Sequence, residues 1–370
     1  MRPEIFSNIS KIIERDSKST TYKYALLRGV IDVIQENSPY IIQSKDRVTI
    51  PLGLIIEKWL LYYYPLLDPS NRLVQIHGKG NLAFEVLFRK IIQAYQNNNG
   101  FSGFFNDFKN KGIPYELVHD FTLLVKKIAK TICDMPMKHI GYSISNNHYS
   151  IFQYSRKDKY IRSEYSSVEH LVDSFGTFSI SKDYYEAFQI LGSFITGQDS
   201  IIFKWAEFSV NASDSVIPVE HVIQEILTTP ITKRDIDDSK MLYQEILKQE
   251  GKVYCVWTGK AITSYDVDHM IPFSVWRNND LWNLLPSQKS TNNHKRDKIP
   301  SPKLIERRSD LILSYWNLLD QYQNVRFRKE LKMALMGNSD ILTWKETAVQ
   351  HLQEMCNYLI TKRGFEEWDI

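Results

Sequence analysis

Five side chains within residues 266–300 have the types and the order that suit phosphodiester hydrolysis. The stretch reads DVDHMIPFSVWRNNDLWNLLPSQKSTNNHKRDKIP and contains the adjacent pair Asp268 and His269. Asn283 follows His269 by fourteen residues, Asn292 comes nine later and Lys295 three beyond that. A carboxylate and an amide oxygen can hold a hard divalent cation, and a neutral imidazole can take a proton from water. Neighbours in an ideal strand point to opposite faces, so Asp268 and His269 can serve one site only if the strand breaks there. Pro272, three residues on, is a cause for such a break.

Residues 265–269 and 281–285 read as short strands and residues 287–297 as a polar helix. The set Asp268-His269, Pro272, Asn283-Leu284, Asn292, Lys295 and Pro300 resembles an HNH endonuclease site of the ββα-metal, or His-Me finger, type. It is similar, nearly position for position, to the HNH domain of the RNA-guided CRISPR effector nucleases, whose third signature residue is Asn rather than His. The resemblance spans residues 254–308. It implies a hairpin with a long loop, a helix packed across it, and a metal between strand and helix. It further implies that His269 is the general base, that Asp268 and Asn292 ligate Mg²⁺ or Mn²⁺, and that Asn283 ties the loop and so aims the base. Lys295, with Arg296 or Lys298, is then expected at the DNA backbone, and Lys289 on the same surface. An imidazole pKa of about 6.5 leaves such a base mostly neutral. His294 is a decoy, because on a helix it stands about 200° from Asn292 and the two cannot face one metal.

Residues 254–260, YCVWTGK, carry a second resemblance. Many HNH domains open with Cys-x-x-Cys-Gly, the first half of a structural zinc site. Here Thr258 stands in the second cysteine's place, and Cys133, Cys255 and Cys356 form no CxxC pair. No structural zinc is expected. Cys255 reads as a small buried hydrophobe, Gly259 as a turn, and neighbouring helices must then hold the module together.

The chain has 46 Lys and Arg against 43 Asp and Glu, a net +3 that argues neither for nor against a nucleic-acid partner. The distribution is more informative. Residues 289–308 contain seven basic and two acidic side chains, and phosphate contacts dominate nucleic-acid affinity, so this stretch reads as a DNA-facing surface. The first residues, MRPEIFSNISKIIERD, lack the apolar run of an export signal, and cysteines are few. Together these point to the cytoplasm. The apolar stretch 50–67 includes Glu57, Lys58 and Pro65 and is too short to span a membrane.

Helical spacing recurs at residues 25–35, 52–66, 82–94, 115–132, 182–195 and 201–208. Residues 141–154 alternate about Asn146-Asn147, as a β-hairpin would. Ser239 is a candidate N-cap for a helix over 240–249, and residues 302–321, 325–336 and 344–361 are amphipathic. No P-loop, internal repeat, RuvC-like acidic triad or arginine-rich bridge is present. The expected fold is mainly α with a small ββα-metal (HNH) module, α+β overall. Its expected division is a helical region over 1–230 with a targeting or regulatory role, an HNH nuclease domain over 231–310, and C-terminal helices over 311–370. The function expected is metal-dependent cleavage of DNA in defence against phage or other foreign DNA. Alternatives are a nuclease effector under partner or ligand control and a catalytically weak nucleic-acid-binding protein that keeps the fold. A regulatory protein or a second copy of the chain would be partners, and no membrane.

Overall fold

The computed structural model describes the chain except residues 1–2, 16–17, 70–72, 79, 142–149, 156–161, 192–200, 214–217, 228–233, 277 and 340–342. The fold is mainly α with small sheets, α+β overall. Two compact units divide it: Met1–Glu36 with Tyr40–Pro230, and Asn37–Pro39 with Ile231–Ile370.

The first unit contains α1 (Pro3–Arg15), α2 (Tyr22–Gln35), β1 (Ile42–Gln43), β2 (Arg47–Pro51), α3 (Leu52–Leu67), α4 (Glu85–Tyr95) and α5 (Gly100–Asn106). A π-helical turn (Asp107–Lys111) leads to α6 (Tyr115–Asp134), α7 (Pro136–His139), β3 (Gln153–Ser155), α8 (Val168–Ser174), β4 (Thr177–Ser181), α9 (Lys182–Leu191), α10 (Ile201–Ala212) and α11 (Val219–Leu227). The strands form an antiparallel sheet in the order β1-β2-β4-β3. Sequence reading missed that sheet, because its short strands pair across most of the unit's length. The turn of the expected 141–154 hairpin lies outside the described residues, as does the end of the 182–195 helix.

The sequence of α3, LGLIIEKWLLYYYPLL, is apolar on all sides, and the helix is correspondingly buried nearly all round. It packs against α2, α4, α6 and α8. Gly53 permits the closest of these approaches, since a Cβ there would lie 2.3 Å from the Leu171 carbonyl. The charges of α3 are paired rather than exposed: Lys58 with Glu36, and Glu57 with Lys109. Among the described residues no helix is long and apolar enough to cross a membrane.

The second unit begins with α12 (Asp237–Glu250), β5 (Val253–Tyr254), β6 (Ala261–Ile262), β7 (Asp266–His269) and α13 (Phe273–Trp276). A 3₁₀ turn (Leu281–Asn283), β8 (Leu284–Ser287), α14 (Lys289–Lys295) and β9 (Ile299–Pro300) follow. It closes with α15 (Pro302–Tyr322), α16 (Asn324–Leu331) running into a π-helical turn (Lys332–Met336), α17 (Trp344–Thr361) and β10 (Glu367–Trp368). Ser239 is not the cap of α12. The helix starts two residues earlier, with Asp237 and Asp238 in its first turn, where carboxylates favour the positive end of the dipole. One apolar cluster runs from Trp257 and Trp282 in the small strands through Trp316 of α15 to Leu352 and Cys356 of α17. Hydrogen bonds cross the same boundary: Trp316 Nε1 donates to Trp282 O at 2.8 Å, and Tyr243 Oη to Leu284 O at 2.8 Å.

Candidate active site

The site is built on the antiparallel pair β7 and β8, in which Asp268 faces Leu285 and His269 faces Leu284 across the ladder. The strand ends at His269, a bend covers Met270 and Ile271, and Pro272 begins the turn that becomes α13. This break lets adjacent Asp268 and His269 line the same cavity, as the sequence required. The cavity measures about 720 Å³ and is also lined by Asn292, Asn293, Arg234, Arg296 and Asp297.

Asn283 fixes the bend. Its Oδ1 accepts from Ile271 N at 2.8 Å, its Nδ2 donates to Ile271 O at 3.0 Å, and its carbonyl accepts from Met270 N at 2.8 Å. An amide is the side chain suited to this, because it offers a donor and an acceptor to the backbone N–H and C=O of one residue. Fully buried, Asn283 touches the chain that follows His269 and leaves the cavity to others.

His269 is 2 % exposed. Its Nε2 lies 3.4 Å from Asn279 Oδ1, and that oxygen also accepts from Asp235 N at 3.0 Å. The second contact identifies the Asn279 atom as the oxygen, so Nε2 carries the proton and Nδ1 carries the lone pair. Burial lowers the imidazole's pKa, Arg234 and Lys295 lower it further, and hydrogen bonds to Asn279 and the Asn278 backbone oppose them; the result is about 4. The ring is neutral at pH 7.

Asp268 is 4 % exposed, and both carboxylate oxygens are engaged. Oδ2 accepts from Trp257 Nε1 at 2.6 Å and Oδ1 from Lys295 Nζ at 3.1 Å. Lys295 therefore departs from the expectation that it meets the DNA backbone. Its side chain is fully buried, its ammonium donates to His269 O at 2.6 Å, and it lies 5.5 Å from the Trp257 ring centroid. A buried carboxylate needs a counter-charge more than a solvated phosphate does, and Lys295 supplies it to Asp268. The other basic residues do lie outside. Lys289 and Arg296 are exposed, and half-buried Lys298 pairs with Glu366 at 2.5 Å. His294 is exposed, points away from the cavity lining, and its Nδ1 accepts from Trp368 Nε1 at 3.5 Å.

A divalent cation fits the donor chemistry. Asp268 offers a carboxylate and Asn292 an amide to one cavity with room for waters, donors of the kind that suit a hard divalent cation. Among the described residues no three His, Cys, Asp or Glu side chains converge to hold a metal. Cys255 is fully buried, with Sγ 3.7 Å from Ser287 Oγ.

Sequence reading missed three residues here: Trp257, Asn279 and Arg234. Asn279 had a signal, since Asn278-Asn279-Asp280 is a polar run in the loop between base and orienter. Trp257 stands in the loop between Cys255 and Gly259, where nothing in the spacing marks it, and Arg234 lies upstream of the motif altogether.

Residues 255–301 match a family described as HNH endonuclease, which supports an HNH endonuclease domain at this place and a nuclease-type activity. Residues 3–226, more than half of the chain, match a family described as Domain of unknown function (DUF8808), and the chain belongs to that family. No curated protein and no solved structure matches the chain.

Proposed function

We propose that this chain is a divalent-metal-dependent endonuclease acting on DNA. The convergence of Asp268, His269 and Asn292 on one cavity, with His269 buried and neutral, carries the reading. Nδ1 of His269 takes a proton from a water whose oxygen attacks phosphorus as the P–O3′ bond breaks, leaving 5′-phosphate and 3′-hydroxyl ends. Asn279 holds the tautomer that leaves Nδ1 available, and Asn283 fixes the backbone behind the ring. Asp268 and Asn292 are the protein's ligands for the cation, and Trp257 and Lys295 orient the carboxylate. A bound Mg²⁺ or Mn²⁺ supplies Lewis-acid stabilisation of the charge that develops on the phosphate and leaving oxygen. The Asn in the third signature position is the variant seen in the RNA-guided effectors' HNH domain.

One such site cuts one strand per visit, so nicked circles should precede linear product from supercoiled plasmid. The test is cleavage of plasmid, linear duplex, single-stranded DNA and RNA with Mg²⁺, Mn²⁺ or EDTA, beside a His269→Ala control. The variant should cut duplex DNA at least about 10²-fold more slowly, the usual size of a general-base contribution. An equal rate in the variant would sink the reading. Because an unrestrained nuclease damages its own cell, we further assign residues 1–230 to restraint or targeting, and the whole chain to defence against foreign DNA.

A further inference from the structure

Two arginines open onto the catalytic cavity from different elements, and neither pairs with a carboxylate among the described residues. Asp297 lines the same cavity without bonding to either. Arg234 precedes α12. One of its five N–H donors, on Nη2, is given to Val267 O at 3.3 Å, which seats the guanidinium beside the strand that ends in Asp268 and His269. The rest of the fork is available to a ligand.

Arg296 follows α14 at φ 53°, ψ −121°, in a turn closed by Lys298 N on Lys295 O at 3.1 Å. These angles match the second residue of a type II′ turn, a position glycine takes without strain and a long side chain does not. Folding alone would favour glycine there. An arginine held in a costly conformation, exposed and facing the chemistry, has the mark of a functional residue.

A phosphodiester presents two non-bridging oxygens and one negative charge, which the planar guanidinium fork matches in both geometry and sign. Resting on the nuclease reading, we propose that Arg234 and Arg296 together form the seat of the scissile phosphodiester. Arg234 lies between the two matched regions, 3–226 and 255–301, so on this proposal the active site is completed by a residue outside the HNH match.

The test uses the full chain with Arg234→Gln, Arg234→Lys, Arg296→Gly and the Arg234→Gln/Arg296→Gly double variant. Binding of a short fluorescein-labelled DNA duplex is followed in EDTA across a salt series, and single-turnover cleavage with Mg²⁺ is measured in parallel. The two arginines share one phosphate, so the double variant should lose about 0.9 from the log–log salt slope, roughly tenfold weaker binding near 0.1 M salt, and each charge-removing single variant should lose part of that. Arg234→Lys should keep the slope and still cleave more slowly, because a point charge cannot grip two oxygens at once. Arg296→Gly should melt no lower than the parent, since glycine relieves the turn, so weaker binding by it cannot be blamed on a damaged fold. An unchanged slope in the double variant would overturn the proposal, as would a parent chain that fails to bind the duplex in EDTA. Arginine-dependent binding without any cleavage by the parent would instead keep the seat and sink the nuclease reading.

Discussion

Replacing Lys295 by Met separates a structural lysine from a DNA-contacting one. Met keeps most of the aliphatic stem and removes the ammonium that bonds to Asp268 and to the His269 carbonyl. Asp268 would then remain buried and charged with Trp257 Nε1 as its remaining donor. Breaking a buried ion pair from one side costs about 3–5 kcal/mol. For a unit of this size that corresponds to a fall in melting temperature of roughly 6–20 °C. Tryptophan fluorescence is a suitable probe, because six of the eight tryptophans (all but Trp59 and Trp205) lie in the second unit. Adding Asp268→Asn should restore much of the loss, since a neutral amide oxygen can still accept from Trp257 and needs no counter-charge. The melts belong in EDTA, where no cation can stand in for the ammonium. A surface lysine predicts the opposite pattern: a change within about 0.5 kcal/mol, no rescue by Asp268→Asn, and a flatter salt dependence of DNA binding. Observing that pattern would refute the reasoning.

The pH profile supplies another prediction. His269 must be neutral to act, and its pKa lies near 4, so kcat/KM should hold as pH falls through 6.5 and drop only on approach to 4. An acid limb centred near 6.5 would show an imidazole far better solvated than the structure allows. Over the same window the unfolded chain binds this proton and the folded chain does not, so stability should fall with pH from about 6.5 to about 4. Trp257→Phe removes the indole donor to Asp268 while keeping an aromatic ring. It should raise the Mg²⁺ concentration needed for half-maximal cleavage by about 10–100-fold, the usual effect of losing a partner that orients a metal ligand. An unchanged Mg²⁺ requirement would mean that Asp268 is not a ligand.

The parts of this fold legible in the sequence are those governed by short-range periodicity. Residues 52–66, 115–132 and 344–361 read as helices because their apolar spacing is helical, and α3, α6 and α17 occupy them. That Asp268, His269 and Asn292 would come together was expected from the resemblance to HNH sites, and all three line one cavity; the pattern is compressed into one hairpin and one helix. What escaped depends on distant partners. Residues 281–283 are a 3₁₀ turn rather than strand, since Leu281 N bonds to Glu330 Oε2 at 2.7 Å from a helix far along the chain. The burial of Lys295 follows from Asp268, twenty-seven residues earlier, and a lysine in a basic run carries no sign that its neighbour in space is an anion. The sheet of the first unit was invisible for the same reason: Pro51 pairs with Thr177, and neither strand alternates over enough residues to declare itself.

The clamps on His269 show where the structural limits of the second unit lie. Asn279, which holds His269, has its carbonyl bonded by Arg326 Nη2 at 3.1 Å. Arg326 is held in turn by Glu330 at 2.6 Å and by Asp238 of α12. Glu330 also caps the turn that ends in Asn283. Both residues belong to α16, beyond the HNH match at 255–301. An HNH module whose opening loop has Thr258 in place of a second cysteine must take its rigidity from elsewhere, and here α15, α16 and α17 supply an apolar core and charged hydrogen bonds. The Asn279–Trp282 end of the loop is therefore fastened by α15 and α16, and its His269–Ile271 end by Lys295 and Asn283. A fragment cut at the edges of the match would keep Asp268, His269 and Asn292 but lose Arg326, Glu330 and Trp316, and with them the contacts that hold the loop beside His269. The smallest chain that retains every clamp seen around the site runs from before Arg234 through Trp368.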